Sequence, residues 1–323
     1  MKASHAPLER QKLHRWLRRA LLRAALVILL VSIAVFFVIR LVPGDPATMV
    51  LGDHATTASI EALREKLGLD LPLHRQLAEY LKNVFLRGDT GESTKYGISS
   101  RELVFRAAPV SLTLTLLCVL ITLAATVLLA FLAATHRDGA LDHIVRAAPA
   151  FTQGMPVFWI GVLFILLFAV NLGWFPVGGV EKGLWGMLHS LALPAITVSF
   201  GQIPPLVRSL RERLLEVLDS DFVVTLRAAK LPSRRILFRH VLRNAFVPAL
   251  LLFSVNLSYL VGGTLVVEQV FGVRGVGKLL FEAISNRDFP LVQAVTLYSA
   301  AFVVLVSFLA DLIARIADPR LRT

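Results

Sequence analysis

Residues 208–248 read RSLRERLLEVLDSDFVVTLRAAKLPSRRILFRHVLRNAFVP, and the reading of the chain turns on them. From Arg208 to Arg243 the stretch holds nine Lys/Arg and four Asp/Glu. The sequence on either side is apolar for about the 20 residues that a helix needs to cross a bilayer. A basic, helix-prone elbow between two spans is placed to touch something at the membrane surface.

Composition supports the membrane setting. Of 323 residues, 56% are hydrophobic and 17% are charged, whereas soluble domains are nearer about 25% charged. The net charge of +12 is accounted for by the positive-inside rule, so a nucleic-acid partner is not implied. One cysteine, Cys118, stands inside an apolar run, which excludes an internal disulfide and suits a packing role.

Outward from the elbow, the chain divides into a basic N-terminal segment (1–19), a first span (20–42), a long polar loop (43–108), a five-helix core (109–316) that contains the charged loop 208–245, and a tail (317–323). The first span is read as retained because Val42-Pro43-Gly44-Asp45-Pro46 breaks the helix and no small-residue cleavage pattern follows. Arg40, near its end, is expected to snorkel to headgroups. In the loop, 59–67 and 74–86 read as helices, the second with Leu77, Tyr80, Leu81, Val84 and Phe85 on one side, and Gly88-Asp89-Thr90-Gly91 reads as a turn. The core spans are expected near 109–134, 144–172 (with a kink at Gly154-Met155-Pro156), 187–206, 246–271 and 291–316. Trp174 and Trp185 at the two ends of an outer loop suit an interfacial belt.

Six spans put both termini on one side. The elbow carries nine Lys/Arg in 36 residues, whereas the two loops of opposite parity, 173–190 and 272–290, carry four in 37. The N-terminus, the elbow and the C-terminus are therefore expected in the cytoplasm.

Catalytic constellations are missing. There is no HExxH, CxxC or GxSxG, and the eight histidines are scattered along the chain, so neither an enzyme nor a metal site is expected. Gly272-Val273-Arg274-Gly275-Val276-Gly277-Lys278 imitates a phosphate-binding loop. Leu279 stands where a Mg²⁺-binding hydroxyl is required, and a membrane span precedes the loop instead of a strand, so it reads as a Gly-rich turn. Glu268 and Asp311 are the ionisable residues near span ends that stand as candidates for a substrate path or for helix pairing.

The elbow also carries a resemblance. Asp221-Phe222-Val223-Val224-Thr225-Leu226-Arg227-Ala228-Ala229-Lys230-Leu231, continuing through Arg235, His240 and Arg243 to Pro248, resembles the coupling loop of binding-protein-dependent ABC importer permeases, in particular the dipeptide, oligopeptide and nickel branch. Val42-Pro43-Gly44-Asp45-Pro46, Leu67-Gly68-Leu69-Asp70, Gly88-Asp89-Thr90-Gly91 with Ser93, Pro156-Val157-Phe158-Trp159, Gly173-Trp174-Phe175-Pro176, Leu193-Pro194-Ala195, Val266-Val267-Glu268 and Asp318-Pro319-Arg320 follow the same family in the same order. The long first loop is similar to that of the first of the two permeases such importers encode. The chain departs from the pattern at Lys230, where the family's loop has glycine, at Val224 and Leu226, where Arg and Ala are usual, and at Val273-Arg274-Gly275, where Trp-Pro-Gly is common.

The resemblance implies an all-α polytopic protein with six transmembrane helices, the type I ABC importer permease fold and a small helical region in the extracytoplasmic loop. It implies a sister permease subunit, two cytoplasmic ABC ATPases that use ATP and Mg, an extracytoplasmic solute-binding protein and membrane lipid as partners, in a bacterial inner membrane. Asp221, Thr225, Arg227, Ala228, Ala229, Lys230, Leu231, Arg235, His240 and Arg243 would then form the ATPase-coupling element. A secondary transporter or channel working alone is the alternative, and it would show inverted repeats or central charges, which are not apparent.

Overall fold

The structure, a computed structural model, describes residues 6–41, 48, 56–66 and 68–317. The expected break at 42–46 and the Asp318-Pro319-Arg320 motif lie outside those residues. The chain is about 81% helical, with no strand among the described residues beyond a single bridge between Glu92 and Ser99. The helices are α1 (Ala6–Leu41), α2 (Thr57–Lys66), α3 (Leu73–Lys82), α4 (Ser100–Thr135), α5 (Ala140–Thr152), α6 (Val157–Phe164), α7 (Leu184–Leu218), α8 (Asp221–Ala228), α9 (Ser233–Arg235), α10 (Leu242–Val270), α11 (Val276–Ser285) and α12 (Phe289–Ala317). Wider π turns extend α3 (Asn83–Arg87) and α6 (Ile165–Asn171), and another (Ile236–Val241) joins α9 to α10.

Among the described residues, four helices are long and apolar enough to cross a membrane: α1 over Arg15–Leu41, α4, α7, and α12 over Phe289–Ile313. The stretch expected as a kinked third span is instead α5 and α6, bent by 111° at the break, and counts as a fifth crossing if the pair is one broken span. The bend has a local cause: Pro156 has no N–H to donate and drives Met155 away from helical geometry, next to Gly154. The expected span 246–271 falls on α10, which at 29 residues exceeds the length a crossing requires.

The chain forms two compact units. Of the described residues, the larger holds 6–14, 110–274 and 305–317. In it, Leu114, Cys118, Leu191, Leu193, Val198, Leu260, Val267 and Phe271 make one core from α4, α7 and α10. Small residues allow the close approach: a Cβ on Gly161 of α6 would stand 3.2 Å from Phe271. A second core, Ala130, Ala133, Val145, Val207, Leu210, Leu214, Val223, Ile236 and Val241, gathers the far end of α7, the start of α5 and the elbow. This packing explains why α7 continues to Leu218 through Pro204 and Pro205, past the span end expected near Leu206. The positions 207, 210, 211 and 214 recur at helical spacing and keep one face buried.

The smaller unit holds 15–109 and 275–304. Asp288, fully buried, is its tie point. The carboxylate accepts hydrogen bonds from Ser93 Oγ, from the backbone N–H of Thr94 (3.2 Å) and Lys95 (3.3 Å), and from Leu291 N–H (3.3 Å). The last of these caps the start of α12. Arg40 does not reach outward as expected. Its guanidinium donates to Gln76 Oε1 (2.7 and 3.2 Å) and to the Phe36 carbonyl (3.0 Å), while lying 3.4 Å over the Phe36 ring. Gln76 in turn donates to the carbonyls of Leu69 and Leu71, so Arg40 is used to fasten α3 to α1. In α3 the stripe runs as expected to Val84, which is buried, but the π turn adds a residue and rotates Phe85 out to solvent.

Candidate functional site

The elbow is a sequence of short, firmly ended pieces. After α7 stops, Ser220 is extended and α8 begins at Asp221. Val223, 0% exposed, points into the second core, and Leu226 and Leu231 pack on the same cluster. Spacing then sets what faces out. Asp221, Val224, Thr225 and Ala228 stand at i, i+3, i+4 and i+7, so they share the opposite stripe, and all four are exposed, Val224 to 57%. Arg227, Ala229 and Lys230 flank that stripe in solvent. The stripe is short, nearly flat and partly apolar, with cations at its C-terminal end, where they also complement the helix dipole.

Lys230 closes α8. Its φ is +56°, the left-handed region. Leu231 N–H donates to the Leu226 carbonyl (3.2 Å) and Lys230 N–H to that of Arg227 (2.9 Å). That pair of bonds is a Schellman stop, completed by the apolar contact of Leu226 and Leu231 against a common core. The same pattern ends α2 at Gly68, α10 at Gly272 and α11 at Arg287, whose φ is +54°. The backbone at 230 thus has the conformation glycine favours, with a lysine in it. An L-residue in that region costs roughly 1–2 kcal/mol, and glycine's extra freedom in the unfolded chain offsets part of that. Lys230→Gly is expected to steady the elbow by up to about 1 kcal/mol. Lys230→Val is expected to weaken it by about 1–3 kcal/mol, because a β-branched residue is still less tolerated there. Hydrogen exchange of the 226–231 amides measures both.

The return leg presents Arg234, Arg235 and Arg239 to solvent while Ile236 and Val241 are buried. His240 is half-buried, and its carbonyl accepts from Asn244 Nδ2 at 2.9 Å. The Arg243 side chain lies outside the described residues. Glu268 and Asp311 do not share an environment. Glu268 is fully enclosed near the end of α10, whereas Asp311 is exposed on α12.

Sequence reasoning passed over the most enclosed ion pair among the described residues of the larger unit. Arg211 of α7, 7% exposed, presents a fork to Asp142 of α5, 0% exposed: Nη2 donates to Oδ2 at 2.6 Å and Nε to Oδ1. Asp142 Oδ2 also accepts the backbone N–H of Asp138 (3.0 Å), which itself holds φ +62°, and Arg146 Nε lies 3.9 Å away. The signal was present: Arg211 occupies a position on the 207/210/211/214 stripe that otherwise carries aliphatic residues. At the surface, Arg137 and Asp219 pair at 3.6 Å between the same two segments.

Comparison with known proteins places this geometry. Residues 126–323 match the profile of the binding-protein-dependent transport system inner membrane component family, and residues 13–100 match that family's N-terminal region. The chain belongs to this family. The permease is 37% identical over 299 residues to a putative peptide transport system permease of Brucella abortus (strain 2308), covering 92% of this chain and 95% of that one. It is 35% identical to the di/tripeptide transport permease of Pseudomonas aeruginosa (strain UCBPP-PA14), covering 90% and 94%, and 33% identical to an oligopeptide transport permease of Bacillus subtilis (strain 168), covering 91% and 95%. Among solved structures, a chain of the MetNI methionine ABC transporter, in inward-facing conformations, shares the permease fold. Its TM-score is 0.55 at 18% identity, and the match covers 67% of this chain and 96% of that one. The permease is thus a multi-pass inner membrane protein of the ABC importer type.

Proposed function

We propose that this permease is the membrane-spanning subunit of an ATP-driven, binding-protein-dependent importer of peptides or similar small solutes. In this reading it works with a sister permease, two cytoplasmic ABC ATPases that bind ATP and Mg, and an extracytoplasmic solute-binding protein. Both of its termini then lie in the cytoplasm. The observation that carries the reading is α8. One face is anchored by Val223, while the stripe Asp221, Val224, Thr225 and Ala228 is presented outward beside Arg227. A rigid helix of this size, with small residues for close approach and cations at its end, suits a groove with acidic walls on an ATPase. The relatives named as peptide permeases support the substrate class.

The mechanics follow from continuity. α7 has 35 residues, about 52 Å at helical rise, and it runs from the outer loop to the elbow. Movement of α8 by closing ATPases is delivered to the core through α7 and α10 as a rigid-body shift between inward- and outward-open states. Glu268, enclosed at the end of α10, serves helix pairing in this scheme.

The test is capture of the ATPase subunits encoded beside the permease, using tagged permease in detergent. Arg227→Glu and Ala228→Trp are expected to reduce capture by more than about tenfold, the effect of losing an interface hot spot, with unchanged membrane yield. Capture at the wild-type level by both variants would sink the reading.

A further inference from the structure

We propose that Asp142 and Arg211 form an orienting clasp that fixes the elbow to the turn between α4 and α5, so that α8 and this turn move as one body. The clasp goes beyond the assignment of α8 as a docking element, and its functional arm rests on that assignment.

The geometry singles the pair out. The other described arginines of α7 make local, exposed pairs: Arg208 with Glu212 and Arg213 with Glu216. Arg211 instead turns inward and crosses to another helix. Its planar fork meets both carboxylate oxygens, which fixes direction as well as distance. Asp142 stands in the first turn of α5 and accepts the N–H of Asp138, so the same carboxylate holds the turn, the helix start and the fork. Arg137 and Asp219 tie the same two segments at the surface, and Asp219 is the C-cap of α7, immediately before the elbow helix. Around the clasp, Ala133, Val145, Leu210 and Leu214 belong to the core that also receives Val223. A buried pair of this kind contributes little net stability over an apolar replacement. What it supplies is one permitted arrangement of two helices where an aliphatic contact would allow several.

That difference defines the experiment. Nitroxide labels at the exposed positions Ala140 and Val224, introduced as cysteines in a Cys118→Ala background, report the distance between α5 and α8 in the full chain in nanodiscs. The unmodified clasp is expected to give one narrow distance. Asp142→Leu combined with Arg211→Met replaces the pair with apolar side chains of similar bulk. It is expected to keep the yield and elution of the wild type, to broaden the distance distribution, and, in the chain without labels or cysteine substitutions, to cut substrate-stimulated ATP hydrolysis of the assembled importer by at least about tenfold. A merely structural pair would move neither readout once yield is retained, so a narrow distance with full hydrolysis overturns the clasp. A broadened distance with full hydrolysis supports the clasp and counts against α8 as the docking element. Should the double variant fail to fold, Arg211→Lys, which keeps the charge and loses the fork, decides by the same two readouts.

Discussion

Asp288→Ala is expected to release the 88–100 segment from the start of α12. The wild-type carboxylate satisfies Ser93 Oγ and the backbone N–H groups of Thr94, Lys95 and Leu291, and it is fully buried. Alanine removes the acceptor and leaves the buried donors, Ser93 Oγ and Leu291 N–H, unmatched, while the N–H groups of the exposed Thr94 and Lys95 turn to water. A buried donor left unmatched costs about 1–3 kcal/mol, so the combined loss is expected at about 3–5 kcal/mol, at the upper end for single substitutions. The helix cap goes with it. Limited proteolysis should show cleavage within 92–99 at protease concentrations that leave the wild type whole. Asp288→Asn keeps one acceptor oxygen and should fall between the two. Unchanged resistance in Asp288→Ala would show that Tyr96, whose hydroxyl donates to Glu282 at 3.1 Å, holds the segment unaided.

Asp288 also shows where the sequence stops being readable. An Asp directly before Phe289-Pro290 is a recognisable helix start. Nothing local points to Ser93, which lies 195 residues away in the chain. The clasp has the same character. Arg211 on an apolar stripe is a local anomaly, but its partner Asp142 sits among other polar residues of a short turn and carries no mark of burial. The helix α3 and most of its apolar face were legible because periodicity is local, whereas α8 was marked by the resemblance and not by spacing. Tertiary forces decided the rest. Packing against Val145 and Ala133 carries α7 past two prolines. The Gly154-Met155-Pro156 break, which announces a kink, gives a 111° bend whose size depends on what α5 and α6 each pack against. Lys230 stands between these cases. The resemblance marked it as a glycine position, and the backbone has kept the left-handed turn while accepting a lysine. Arg287 does the same at the end of α11, so this chain ends two helices with a basic residue where glycine is the easier choice.

The second large effect is expected at Val223, the residue that separates an anchored elbow from a dangling one. It is 0% exposed and lies in the core with Leu210, Leu214, Ile236 and Val241. Val223→Asp places a carboxylate among aliphatic side chains, and the helix answers by leaving the core, since an uncompensated buried charge costs several kcal/mol. α8 has 8 residues, too short to hold its own helical form once detached. Local opening of the elbow is therefore expected to become easier by at least about 3 kcal/mol, which is more than a hundredfold in amide exchange across 221–231. Val223→Ala, a cavity without a charge, should cost about 1–3 kcal/mol and raise exchange correspondingly less. The consequence for function is separable from the consequence for stability. The first core, built from Leu114, Leu191, Leu260 and Phe271, makes no use of Val223, so insertion and yield should remain near wild type while capture of the ATPases is lost. If Val223→Asp captured them normally, the outward stripe of α8 would not need its anchor, and the rigid transmission through α7 that the proposed mechanism requires would be wrong.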